Sequence, residues 1–325
     1  MSAFKIMASS KSVPHRVVTN DDLAQIMDTS DEWIKRRTGI SRRHIATDES
    51  TTSMSIEVAH ALLKKTQIDP KDLDYVVVAT MSSDYQTPAT AASVQGAIGA
   101  TNAVAFDIDA ACTGFAFGTS ILNSLLAKKS GSCGILIGAE VLSKLLDWSD
   151  RSTAVLFGDG AAGVLVQNDP SSSSQVLGES LKTFGNLGSA LTAGHFADVT
   201  PFGKNPNQEK QFFKMDGHQV FNFALKKVPL SIKEALTDAN LSLNDIDVFV
   251  MHQANARIIA SVVRKLGLPK NRFPIDIDEY GNTAAASEPL LLADLLTSGK
   301  IQRGNKIALV GFGGGLTTGT VIINY

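Results

Sequence analysis

Residues 68–78 read IDPKDLDYVVV, and residues 241–251 read LSLNDIDVFVM. Each carries Asp, an aliphatic residue and Asp ahead of an apolar run, and each follows an amphipathic stretch. The two copies lie 173 residues apart, a little over half the chain. A second pair follows in the same order: VLFGDGAAGVLVQN at 155–168 and LVGFGGGLTTGTVIIN at 309–324. Both members read as an apolar strand, a Gly-rich turn and another apolar strand. Asp-x-Asp before a strand is, taken singly, ordinary turn chemistry. Two pairs in one order point to an internal duplication.

Within each half, helical patterns alternate with continuous apolar runs at Tyr75–Ala79, Gly134–Ile137, Val248–Met251 and Ile307–Val310. Strands apolar on both faces belong in a sheet covered by helices on both sides. The Gly-rich turns around Gly158–Gly160 and Gly313–Gly315 predict hairpins, hence mixed sheets. Two duplicated mixed sheets with helices between them give a five-layer α/β/α/β/α fold. The polar stretch Asn168–Gln175, with Ser171–Ser174, is the expected seam, so the halves are 1–170 and 171–325. Residues 185–210, rich in Gly, Asn, Thr and Pro, are expected to form a long surface excursion over a site.

Composition narrows the function classes. The chain has 325 residues, 44% hydrophobic and 19% charged, with 26 Gly and 10 Pro, which excludes a disordered, collagen-like or coiled-coil chain. Thirty Lys+Arg against 32 Asp+Glu leave a net charge of -2, unlike a general nucleic-acid binder. No apolar run approaches the roughly 20 residues of a membrane-spanning helix. The stretch MSAFKIMASSKSVPHRVV has polar residues where a signal peptide needs its apolar core. Two cysteines, Cys112 and Cys133, make a disulfide framework improbable and fit a reduced, cytoplasmic setting.

Cys112 lies where a short strand ending near Asp109 meets a helical pattern. At a helix N-terminus the partial positive charge favours thiolate, the species that attacks acyl carbons. A lone free cysteine is as a rule only a small buried hydrophobe, and Cys133, inside GSCGILIG, is read that way. His252 follows the run Val248–Met251, at a strand end where α/β sheets form their crevices. No histidine pair has metal-ligand spacing, so no metal site is expected. Asn282 sits in a Tyr-Gly-Asn-Thr turn signal, and Phe312 opens Phe-Gly-Gly-Gly. Consecutive glycines let a substrate approach backbone amides closely, or simply make a tight hairpin.

These features stand within Asp28-Thr-Ser-Asp-Glu-Trp33, Arg37-Thr-Gly-Ile40, Ala111-Cys112, Asp150-Arg-Ser-Thr153, Phe157-Gly-Asp-Gly-Ala161, His252-Gln-Ala-Asn255, Gly281-Asn-Thr283 and Gly311-Phe-Gly-Gly-Gly315. In that order, over nearly the whole chain, they resemble the β-ketoacyl-acyl-carrier-protein synthase III family of the thiolase-like superfamily. The resemblance implies that Cys112 takes an acyl group from acyl-CoA, with the N–H groups of Cys112 and Gly314 as oxyanion hole. It implies that His252 and Asn282 then assist decarboxylation of malonyl-acyl carrier protein, giving a 3-ketoacyl product and CO2 with no cofactor. It further implies CoA contacts at Thr29, Trp33, Arg37 and Arg151. By the same resemblance, Thr87, Phe157 and Phe312 are expected to line or gate the acyl pocket, and acyl carrier protein to dock at Gln253, Arg257, Arg264 and Lys265. A homodimer through residues 88–99, bringing Thr87 to the partner's acyl pocket, is likewise implied.

Ile258, Ile259, Val262, Val263 and Leu266 predict the buried stripe of a helix whose opposite face carries Arg257 and Arg264. Asn222 replaces a basic residue of the family, with Lys226 and Lys227 one turn on. Thr87 stands where some relatives have Phe, Glu288 replaces an aliphatic residue, and Thr318 replaces Trp. These departures bear on primer choice and leave Cys112, His252 and Asn282 intact. Three other readings compete: a thiolase-fold acyltransferase of secondary metabolism that forms no carbon–carbon bond, a Cys-His-Asn hydrolase, and a scaffold with a decayed site.

Overall fold

The computed structural model describes residues 3–195, 202 and 211–325. Strands β1 (Lys5–Ser12), β2 (Tyr75–Ala79), β3 (Val104–Ile108), β4 (Cys133–Glu140) and β5 (Gly160–Gln167) form one sheet in the order β1-β5-β4-β2-β3. Strands β6 (Gln175–Thr183), β7 (Val248–Met251), β8 (Lys306–Gly313) and β9 (Thr317–Asn324) form the other, in the order β7-β8-β9-β6. The two share one wiring. β2 runs parallel to β4, β4 antiparallel to β5, and β5 antiparallel to β1. Likewise β7 runs parallel to β8, β8 antiparallel to β9, and β9 antiparallel to β6. Strand β3 extends only the first sheet, parallel to β2.

Side-chain alternation explains the layers. In β2, Val76 and Val78 point outward onto Met54, Val58 and Leu62 of α2 (Thr51–Thr66), while Val77 points inward toward Phe115, Leu122 and Leu136. Each such valine, fully removed from water, contributes about 2 kcal/mol. In β8, Ile307 and Leu309 face the same inner layer, and Ala308 and Val310 pack outward with Val228, Ile232 and Val262. The inner layer holds α4 (Gly114–Leu126) and α8 (Ser287–Thr297), each touching both sheets. Helices α2 and α3 (Thr90–Ile98) cover the first sheet outside, and α6 (Gly217–Asp238) and α7 (Ala256–Leu266) the second. The result is the thiolase-like five-layer α/β/α/β/α arrangement of two repeated mixed sheets.

One sequence expectation is corrected. The Gly313–Gly315 turn does join a hairpin, β8 to β9. Around Gly158–Gly160 there is none, because β5 pairs with β4 across the long connection 141–159. That connection carries the single turn α5 (Arg151–Ala154), and Val155 turns into a cluster with Leu23, Ile34, Ile40 and Ile277 instead of pairing. Phe157 makes only an isolated parallel bridge to Asn282. Of the expected excursion over 185–210, Leu191–Thr192 pairs with Lys214–Met215. Residues 196–201 and 203–210 lie outside the described residues.

Candidate active site

Cys112 is held on a strained elbow. The strand β3 ends at Ile108, Asp109 accepts the Ala111 N–H at 3.1 Å, and Ala111 adopts φ 45° before a single turn leads into α4. A non-glycine residue in that region persists only where its surroundings hold it. Here Thr113 does part of the holding, its Oγ1 lying 3.0 Å from Thr317 Oγ1, which in turn donates to the Gly314 carbonyl at 2.7 Å. The second half repeats the device: Ala284 has φ 41°, a single turn follows, and α8 begins. Ala285 occupies the place of Cys112, so the duplicated elbow carries a nucleophile in one half only.

His252 and Asn282 come from the second half. His252 directly follows β7, anchored by its N–H to the Val310 carbonyl at 2.8 Å, and its ring meets Phe312 edge-on at 5.2 Å. The Asn282 backbone is clamped twice, donating to Leu156 O at 2.9 Å and accepting from Gly158 N–H at 3.0 Å. Its Oδ1 accepts the Ala284 N–H at 2.9 Å. That fixes the amide orientation and leaves the Nδ2 hydrogens to donate elsewhere. Cys112, His252 and Asn282 all line one cavity of about 890 Å³, together with Phe157, Phe312 and Gly313–Gly315. Phe213 stacks on Phe157 at 4.3 Å along its wall.

The electrostatics differ from the sequence expectation. Burial pushes the Cys112 thiol up to about 12, with the Glu140 carboxylate adding to it. The N–H groups of Gly314 and of Cys112 itself bond toward the sulfur and pull the other way, but burial outweighs them. The resting sulfur is therefore a thiol and not the thiolate that a helix N-terminus suggests: a dry cavity penalises the anion more than the helix end supports it. Burial likewise pushes His252 down to about 3, so the imidazole is neutral, and its Nδ1 has no partner among the described residues. Two backbone donors at the sulfur, a neutral imidazole and a free carboxamide suit a reaction in which negative charge appears on oxygen only in transit.

Outside the cavity the placements are mixed. Trp33 lies on α1 (Asp31–Thr38), capped by Ser30, with the Arg37 and Arg151 guanidiniums 5.0 and 5.2 Å from its ring centroid. Arg151 also donates to the Asp28 carbonyl at 2.5 Å, and the Thr29 hydroxyl is buried with no partner among the described residues. Thr87 is exposed and does not line the cavity of its own chain, whereas its neighbours Tyr85 and Gln86 do. Arg257, Arg264 and Lys265 are exposed on α7, above the buried stripe Ile258, Ile259, Val262, Val263 and Leu266. Gln253 is a correction: it is buried, donates to Met251 O at 2.8 Å and accepts from Asp276 N–H at 3.2 Å. A side chain so enclosed holds the loop after His252 and cannot touch a docking protein. Asn222 is exposed beside His218, and Thr318 is buried in β9 opposite Phe312.

Comparison with known proteins agrees with this architecture. The profile described as 3-oxoacyl-[acyl-carrier-protein (ACP)] synthase III matches residues 106–185, and that of its C-terminal part matches 236–325. A β-ketoacyl-[acyl-carrier-protein] synthase III of Lactobacillus helveticus is 55% identical over 322 residues, covering 99% of this chain and 98% of the relative. The chain belongs to the β-ketoacyl-acyl-carrier-protein synthase III family. The counterpart of Levilactobacillus brevis is 49% identical, covering 99% of this chain and 98% of that one. The crystal structure of the Aquifex aeolicus synthase superposes with a TM-score of 0.92 at 37% identity, covering 99% of this chain and 100% of the other. As a member of the family, the protein is an acyltransferase of the condensing class that initiates fatty acid synthesis.

Two residues of this family member escaped the sequence reading of its site. Glu140 is buried at the end of β4, where Ser82 Oγ and Met81 N–H donate to it, and burial pushes its carboxyl up to about 8. Its Ala285 N–H contact places it at the silent elbow, as the last residue of β4, where Gly313, the last residue of β8, packs on Cys112 at the live one. Glu288, noted only as a departure, is fully buried with no side-chain partner for either oxygen among the described residues. No spacing in the sequence marks a carboxyl as buried. Among the described residues, no cluster of His, Cys, Asp and Glu is arranged to hold a metal, and no helix is long and apolar enough to cross a membrane.

Proposed function

We propose that Cys112, His252 and Asn282 carry out a decarboxylative Claisen condensation between an acyl-CoA primer and malonyl-acyl carrier protein. The observation that carries this reading is their convergence on one cavity with the Gly314 N–H directed at the sulfur. In the first step the Cys112 sulfur attacks the acyl-CoA thioester. The N–H groups of Cys112 and Gly314 hold the oxyanion, worth about 3–4 kcal/mol per such donor. A Cys112 thioester forms, and CoA leaves as a thiol with the proton of Cys112. In the second step the Asn282 amide and the neutral His252 imidazole donate to the malonyl thioester carbonyl. The carboxylate departs as CO2, its electron pair passes through the enolate to the Cys112 acyl carbon, and the sulfur leaves and is reprotonated. Neither step calls for a metal or redox cofactor.

Trp33, Arg151, Arg37 and Thr29 are the proposed CoA site, in which the adenine takes the place of one guanidinium on the Trp33 ring. Phe157 and Phe312 wall the acyl pocket. Thr87 gates the pocket of a partner subunit in a homodimer formed through residues 88–99. Arg257, Arg264 and Lys265 offer an acidic carrier protein a cationic face, extended by Lys226 and Lys227. The cytoplasm, where acyl-CoA and carrier protein are found, is the proposed setting. Intact mass after incubation with acetyl-CoA and longer acyl-CoAs tests the first step: an adduct lost in Cys112→Ala is expected. No Cys112-dependent adduct with any primer overturns the reading. His252→Ala and Asn282→Ala should retain acylation and lose condensation.

A further inference from the structure

Glu288 is the second residue of α8 and is completely enclosed. A carboxyl buried with no side-chain partner among the described residues weakens a fold, and chains rarely keep one without a use. Its place is beside the backbone that carries the nucleophile. A Cβ built on Gly311 lies 3.3 Å from Glu288 Oε2, 3.3 Å from the Cys112 carbonyl oxygen and 2.9 Å from Thr113 Cα. The N–H of Ala116, in the first turn of α4, donates toward the carboxyl. That N–H lies in the first turn of the helix that follows Cys112, whose electropositive start favours negative charge on the sulfur.

Other ionisable groups on the elements around α8 do not compensate Glu288. Lys11 on β1 pairs with Asp294 of α8 itself, Lys5 on β1 pairs with Asp169, and His252 after β7 is neutral. Cys133 and Glu140 on β4 are acids, and Lys306 opens β8 at the far end of the strand from Gly311, its N–H donating to the Asp247 carboxylate. Only burial and the Ala116 N–H act on the Glu288 carboxyl, and burial wins, so it keeps its proton well above the ordinary carboxylate range.

We propose that Glu288 is an electrostatic positioning residue for Cys112: as a neutral acid it leaves the start of α4 free to support charge on the sulfur, and as a carboxylate it withdraws that support. This rests on Cys112 being the nucleophile, but the test needs only its sulfur. Alkylation of Cys112 by iodoacetamide is followed by peptide mass from pH 6 to 9.5 in the native chain, Glu288→Gln and Glu288→Met, with Cys133 as internal control. At pH 6 the three rates should agree. At pH 9.5 both neutral variants should exceed the native chain by about tenfold, since a like charge nearby raises a thiol by a pH unit or more. Cys133 should show no such divergence. If Glu288→Gln does not fold, Glu288→Met carries the comparison. Parallel profiles in all chains overturn the proposal, whatever the variants do to stability. Failure of acyl-CoA to acylate Cys112 with the divergence intact would count against the proposed reaction and leave Glu288 its role.

Discussion

Gly313→Ala is the sharpest test of the site's packing. A Cβ at Gly313 lies 2.6 Å from Cys112 Cβ and 2.7 Å from Sγ, where ordinary contact begins near 3.4 Å. The elbow and β8 must therefore separate by about 0.7–0.8 Å, and neither is free to move. Thr113, Thr317 and the Gly314 carbonyl lock one side, and the full β8–β9 ladder locks the other. Overpacking of this kind costs about 1–3 kcal/mol of stability. The larger effect falls on rate, because a displacement approaching 1 Å between nucleophile and oxyanion donors costs on the order of 10²-fold. The assay is the time course of Cys112 acylation by intact mass, with thermal unfolding alongside. A folded Gly313→Ala that acylates within a factor of two of the native chain refutes the packing argument.

Four further outcomes follow from separate parts of the molecule. Trp33→Ala should raise the KM for acyl-CoA by about tenfold at near-constant kcat, as loss of one base-stacking face implies; steady-state kinetics read this directly. Arg257→Glu with Arg264→Glu should raise the KM for malonyl-carrier protein and spare self-acylation, whereas Gln253→Ala, being internal, should lower the melting temperature instead. Asp276 is buried, its Oδ2 has no partner among the described residues, and burial pushes it up to about 8 from 3.8. The native state then keeps a proton that the unfolded chain releases near pH 4, so its burden is absent at low pH and grows as pH rises toward 8. Asp276→Asn should accordingly stabilise the chain by about 1–3 kcal/mol at pH 8 and hardly at all at pH 3.5, as urea titrations would show.

Much of this was legible because the signals are local and repeated. The apolar runs at Tyr75 and Val248 become the parallel strands beside β4 and β8, and the Ile258–Leu266 stripe is buried residue for residue. Cys112, His252 and Asn282 were singled out by strand ends and turn signals, and the fold brings them to one cavity. What sequence hid depends on burial and long-range closure. The Gly158 turn looks like its Gly313 counterpart, but in the first half the chain inserts 141–159 between the paired strands. Gln253 looks like a surface residue beside basic ones, yet Ser287, Met251 and Asp276 enclose it. The helix end that predicts a thiolate is real, but the dry cavity around it reverses the balance.

Supplying acetyl-CoA or a longer primer together with malonyl-carrier protein, and weighing the carrier-bound product, tests the central claim most directly. The account predicts a 3-ketoacyl thioester two carbons longer than the primer, with one CO2 released per turnover and none from Cys112→Ala. Acyl groups moved or hydrolysed without chain extension, under conditions where Cys112 is acylated, would contradict it.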